Sequence, residues 1–127
     1  LRLARDEQLG QRANRRQLFQ TLDRVDDFFG ALHGQREARV GARVTCGDAV
    51  SAVRRESHQY DLILVDPPYE AWSELEPKLA RHLPRLLAPD GLLVVETGRR
   101  IEPQLPLPIR TSRRYGSARL TLFEPSA

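Results

Sequence analysis

Methionine is absent from the 127 residues, cysteine and tryptophan occur once each, and lysine is found only at Lys78. Each shortage excludes something. A single cysteine, Cys46, cannot close an internal disulfide, which fits a reducing cytoplasm, and a small buried apolar side chain is the expectation there. No apolar run approaches the roughly 20 residues needed to cross a bilayer, and the opening residues do not resemble a secretory leader, so no membrane partner is expected. His33, His58 and His82 lack ligand spacing and a neighbouring cysteine pair, so no metal site is expected either. The missing methionine, with Leu1 at the front, reads as a piece of a longer or processed chain.

What is present fits one folded unit over residues 1–127. A hydrophobic share of 40% and a charged share of 29% are those of a globular protein. The length suffices for one ordinary core and not for two. The positive charge is almost wholly arginine, whose planar fork matches phosphate. With a formal net charge of +3 and a pI near 9.6, a polyanionic partner is compatible, although most arginines are read as solvated surface.

Leu18, Leu22, Val25, Phe29 and Leu32 recur at helical spacing, predicting an amphipathic helix over residues 11–32 that ends near Gly30 and Gly34. Residues 1–41 are therefore read as a helix and loop, and 42–127 as a second portion. "ARVTC" at 42–46 predicts a short strand, followed by a helix over 49–56. Residues 61–65 form a continuous apolar strand of the kind covered on both faces. Leu75, Leu79, Leu83 and Leu86 predict another helix, with Ser73 and Glu76 at capping-box distance and Pro77 blurring its start. "APDG" at 88–91 predicts a turn, "LLVVE" at 92–96 a strand, and "EPQLPLP" at 102–108 a stiff linker. Residues 109–115 and 118–124, joined by Gly116 and Ser117, predict an antiparallel hairpin. Alternating strands and helices imply an α/β three-layer sheet, mainly parallel, with ligands at the carboxyl ends of its strands.

One strand end carries chemistry. Asp66, Pro67, Pro68 and Tyr69 follow the apolar strand directly. Prolines fix their own backbone and disfavour helix before them, so the chain leaves the strand in a rigid extended turn. Such a turn offers acceptors only: a carboxylate and backbone carbonyls, beside an aromatic face. A planar substrate with an exocyclic amine fits that set. The plainer reading is a proline turn with Tyr69 as packing. Trp72 is open between lining a base pocket and covering the core, and Glu96 between assisting the site and facing solvent.

"DPPY" after such a strand resembles the catalytic motif of S-adenosylmethionine-dependent methyltransferases acting on exocyclic amines of adenine or guanine. "GDA" at 47–49, "LLAPDGLLVVE" at 86–96 and "RRYGSARLTLFE" at 113–124 make the chain similar to the bacterial RsmD-type enzymes, which methylate a guanine amine in small-subunit ribosomal RNA. The resemblance implies a Rossmann-like methyltransferase sandwich closed by the C-terminal hairpin. It also implies that Asp66 and the Pro67 carbonyl hold the target amine, with Pro68 in the same turn and Tyr69 stacking the base. Asp48, with Ala49, would contact the adenine of S-adenosylmethionine, the methyl donor. The implied partner is ribosomal RNA or a small-subunit assembly particle. Arg99, Arg100, Arg113 and Arg114, near the strand ends in that topology, are candidate phosphate contacts.

The chain departs from this family in lacking a glycine-rich turn after a first strand and an acid after a second. The first two strands are thus expected to be missing from this sequence. The alternatives are a non-catalytic remnant with an RNA-binding or structural role, and an adenine-N6 nucleic-acid methyltransferase.

Overall fold

The computed structural model describes residues 1–4 and 46–127. The expected helix over 11–32 and nearly all of the expected strand over 42–46 lie outside them. Five strands form one sheet: β1 (Arg2–Ala4), β2 (Tyr60–Val65), β3 (Leu87–Gly98), β4 (Ile109–Tyr115) and β5 (Ala118–Phe123), in the spatial order β1-β2-β3-β5-β4. The described residues also form the helices α1 (Ala49–Arg55), α2 (Trp72–Ala80) and α3 (Leu83–Leu86). No described helix is long and apolar enough to cross a membrane.

The sheet is mixed. Among the described residues β2 and β3 run parallel, while β1 pairs antiparallel with β2, and β5 pairs antiparallel with both β3 and β4. Among the described residues the mainly parallel character expected above is thus confined to one pairing. β1, unforeseen in the sequence, is three residues long, too short to show any periodicity.

Residues facing each other across a ladder share a sheet face. Ile63, Val65, Leu93, Val95 and Phe123 lie on one face and join Val53, Trp72, Leu79, Leu83 and Leu86 from the helices in the main core. The other face is apolar and buried too, at Leu62, Leu92, Val94, Leu120 and Leu122. This double burial is why β2 and β3 read as unbroken apolar runs rather than alternating ones.

Two expected boundaries differ. The segment 88–91 is no free turn: Tyr60 pairs with Leu87 and Leu62 with Leu92, so these residues bulge within β3. Gly91 permits the bulge, because a Cβ there would lie 3.0 Å from the carbonyl oxygens of Ala88 and Tyr60. Helix α2 begins at Trp72 behind Ala71, with no side-chain cap. Instead of closing a capping box with Ser73, Glu76 accepts from Trp72 Nε1 at 2.7 Å and from the Gln104 backbone N–H at 2.9 Å. The stretch over 102–108 is the expected linker between strands, and it is held down, with Pro103, Leu105 and Leu107 buried. Its prolines cannot donate to a ladder, so it packs by side chains without joining the sheet.

Candidate active site

The parallel pair brings two acids together. Val65 lies opposite Val95, so Asp66, just past the end of β2, comes beside Glu96, which is still within β3. Asp66 is exposed, and its carbonyl and that of Pro67 accept no hydrogen bond among the described residues. The Pro68 carbonyl accepts from Ala71 N–H at 3.0 Å, starting the 3-10 turn Tyr69–Ala71 that leads into α2. The acceptor-only turn read from the sequence is therefore present, with its first two carbonyls open.

Tyr69 lies over β3. Its hydroxyl donates to Glu96 Oε1 at 2.6 Å, and its ring packs on Gly98, whose Cβ direction meets ring atom Cδ2 at 3.7 Å. The hydrogen bond to Glu96, helped by partial burial and the negative charges of Glu96 and Asp66, raises the phenol above its ordinary value. The ring is still 38% exposed, held from below and at its hydroxyl with surface left for a partner. Glu96 therefore braces the aromatic residue, a role the sequence reading left open. Gly98 belongs to a strand end of the kind where ligands are expected, but a glycine two residues past the strand's acid gives no sign that it seats an aromatic ring.

Trp72 settles on the other alternative. It is 2% exposed and belongs to the core, so it lines no base pocket. Cys46 also differs from expectation: it is exposed, because the chain there has entered the loop before α1.

Asp48 caps α1, its Oδ2 accepting from Ser51 Oγ at 2.8 Å and Ser51 N–H at 2.9 Å. These two bonds, with lesser help from Lys78 and Arg54, hold its carboxyl below the usual range. Oδ1 accepts nothing among the described residues, so a capping Asp48 still has one oxygen for an amine. Ala49, exposed, is the first residue of the helix.

The four arginines do not act as one patch. Arg99 is spent on the hairpin, donating from its guanidinium to the Gly116 carbonyl at 3.0 Å and from its N–H to the Ser117 carbonyl at 2.9 Å. Arg100 is exposed in the turn after β3. Arg113 and Arg114 are consecutive strand residues and so point to opposite faces. Arg113 pairs with Leu120 and, through it, lies in line with Glu96; Arg114 pairs with Arg119 on the far face.

The family model described as conserved hypothetical protein 95 matches residues 31–124. The chain belongs to this family. No curated protein matches. Among solved structures, the chain is similar to yhhF of Escherichia coli, a candidate methyltransferase, with 21% identity, a TM-score of 0.59, and coverage of 76% of this chain and 57% of that one. It is similar to a conserved hypothetical protein of Streptococcus pyogenes, with 21% identity, a TM-score of 0.58, and coverage of 80% and 62%. The rRNA methyltransferase aviRa of Streptomyces viridochromogenes matches with 18% identity, a TM-score of 0.54, and coverage of 86% and 52%. These likenesses show a methyltransferase-type fold. The chain spans only 52% to 62% of the length of these three proteins.

Proposed function

We propose that this chain carries the acceptor side of an S-adenosylmethionine-dependent methyltransferase that modifies the exocyclic amine of a guanine in small-subunit ribosomal RNA. The observation that carries the reading is the open acceptor turn at Asp66 and Pro67, beside a tyrosine ring braced by Gly98 and Glu96. The amine's two N–H groups are donated to the Asp66 carboxylate and the Pro67 carbonyl, which turns the nitrogen lone pair away from both. Tyr69 stacks on the purine and fixes its plane. Orientation of this kind accounts for several kcal/mol of a displacement barrier. S-adenosylmethionine, when bound, supplies a methyl group on a sulfonium, which leaves as a neutral thioether as the nitrogen–carbon bond forms. The amine then sheds a proton, and Asp66 is the nearest acceptor for it.

The described residues fit the nucleoside end of that donor. Asp48, at the start of α1, has a free carboxylate oxygen for an adenine amine, and Ala49 adds no bulk beside it. The proposed partner is ribosomal RNA or a small-subunit particle, in the cytoplasm.

The test is to incubate the chain with methyl-labelled donor and isolated small ribosomal subunits, then to digest the RNA to nucleosides. Label in N2-methylguanosine supports the reading. Label in N6-methyladenosine moves the substrate to adenine, and absence of label with every substrate overturns methyl transfer by this chain.

A further inference from the structure

The turn end of the hairpin carries features that methyl transfer leaves unused. Gly98 lies opposite Ala118, and Ala118 opposite Tyr115, so these three form one row across β3, β5 and β4. The next row is Glu96, Leu120 and Arg113. The contact of Gly98's Cβ direction with the Tyr69 ring identifies this as the face that holds the site. Tyr69, seated on Gly98, and Tyr115 thus flank Ala118, which is half-buried. The strands that carry Gly98 and Tyr115 stand two strand spacings apart, about 10 Å.

Tyr115 is 36% exposed at the turn end of the hairpin. Beside it on the same face, Arg113 is exposed and makes no ion pair or hydrogen bond among the described residues. A partly exposed ring next to an unneutralised guanidinium, beside the small side chain of Ala118, can take a base on its π-face and a phosphate on its charge.

We propose that Tyr115 and Arg113 form a second nucleotide subsite, which holds a single-stranded RNA nucleotide neighbouring the methylated guanine. Tyr115 stacks on the base and Arg113 pairs with its phosphate. The identity of the ligand rests on the guanine-amine reading above, whereas binding at the subsite is measurable without any methyl transfer.

The experiment is fluorescence anisotropy of the whole chain with a fluorescein-labelled single-stranded RNA of about ten nucleotides, within the usual footprint of such sites, across a salt series. Loss of one stacked base weakens binding about 5- to 100-fold, so Tyr115→Ala falls by that factor while the salt slope holds. Tyr115→Phe retains affinity within about twofold because stacking needs the ring and not the hydroxyl, and Tyr115→Leu behaves like alanine. Arg113→Ala lowers the log–log salt slope by about one, whereas Arg114→Ala, on the far face, does not. Circular dichroism of each variant confirms that the hairpin persists.

Wild-type affinity in Tyr115→Ala, equal slope changes in the two arginine variants, or no binding of this RNA by the parent chain each overturns the subsite. The methyl-transfer assay on ribosomal subunits is scored separately. A subsite that behaves as described in a chain that methylates nothing overturns the proposed reaction and leaves the subsite standing. Methylation with an unaffected Tyr115→Ala does the reverse.

Discussion

Replacing Asp66 by alanine removes the one carboxylate that the acceptor turn offers an amine, while Pro67 and Pro68 keep the backbone of the turn in place. Methyl incorporation should fall at least about a hundredfold, the scale for one preorganised hydrogen-bonding group, with little change in donor binding by calorimetry. Turnover within a few fold of the parent would make the turn purely structural. Glu96 acts one step further back. Its hydrogen bond and charge disfavour the Tyr69 phenolate, so Glu96→Gln should bring the phenol's ionisation to lower pH. Nuclear magnetic resonance titration of the ring carbon of Tyr69 follows this directly. An unmoved midpoint would show that the contact of Glu96 with Tyr69 is not kept in solution.

At the scale of elements, α1 is seven residues long and cannot hold itself together by its own hydrogen bonds. Arg85, from α3, reaches its carboxyl end and donates to the carbonyls of Val53, Arg54 and Glu56. A cation at a helix C-terminus is favourable by up to about 2 kcal/mol in good geometry, so Arg85→Ala should cost on the order of 1 to 2 kcal/mol in urea unfolding. If the urea midpoint is unchanged, the clamp is decorative. No sequence pattern announces Arg85, since it acts across 29 to 32 positions. The same limit explains what was legible and what was not. Strands β2 and β3 were readable because both faces are apolar, and the hairpin because two residues can join only antiparallel neighbours. The acceptor turn was readable because proline fixes its own geometry. Glu96, Gly98 and the opposite facing of Arg113 and Arg114 depend on register between strands, which no single segment encodes. The burial of Pro103, Leu105 and Leu107 was hidden because proline-rich composition signals extension without saying what it packs on.

At the scale of the molecule, Glu56 is the described carboxylate held furthest below its ordinary value. It accepts from the backbone N–H groups of Ser57 and His58 and from the Tyr60 hydroxyl, and it contacts the His58 ring. The His58 N–H first and the Tyr60 hydroxyl next hold its carboxyl down to about 2, against 4.5 for a free glutamate. A folded value below the unfolded one means that the stabilisation is complete above about 4.5 and is lost as pH falls toward 2. Glu56→Gln should therefore flatten the pH dependence of thermal unfolding across that window and leave its shape at neutral pH unaltered. The sheet also has a direction of decreasing security. β3 is laddered on both sides and buried on both faces, whereas β4 is an edge strand and β1 only three residues long. Local opening runs from weakly held edges inward, so amide exchange should be slowest at Leu93 to Val95 and faster by orders of magnitude along β4. The two proposed base platforms then differ in lifetime. Tyr69 rests on the strand that opens last, while Tyr115 rides on one that frays on its own, so an RNA can be released at its flank while the seat of the reacting base keeps its shape.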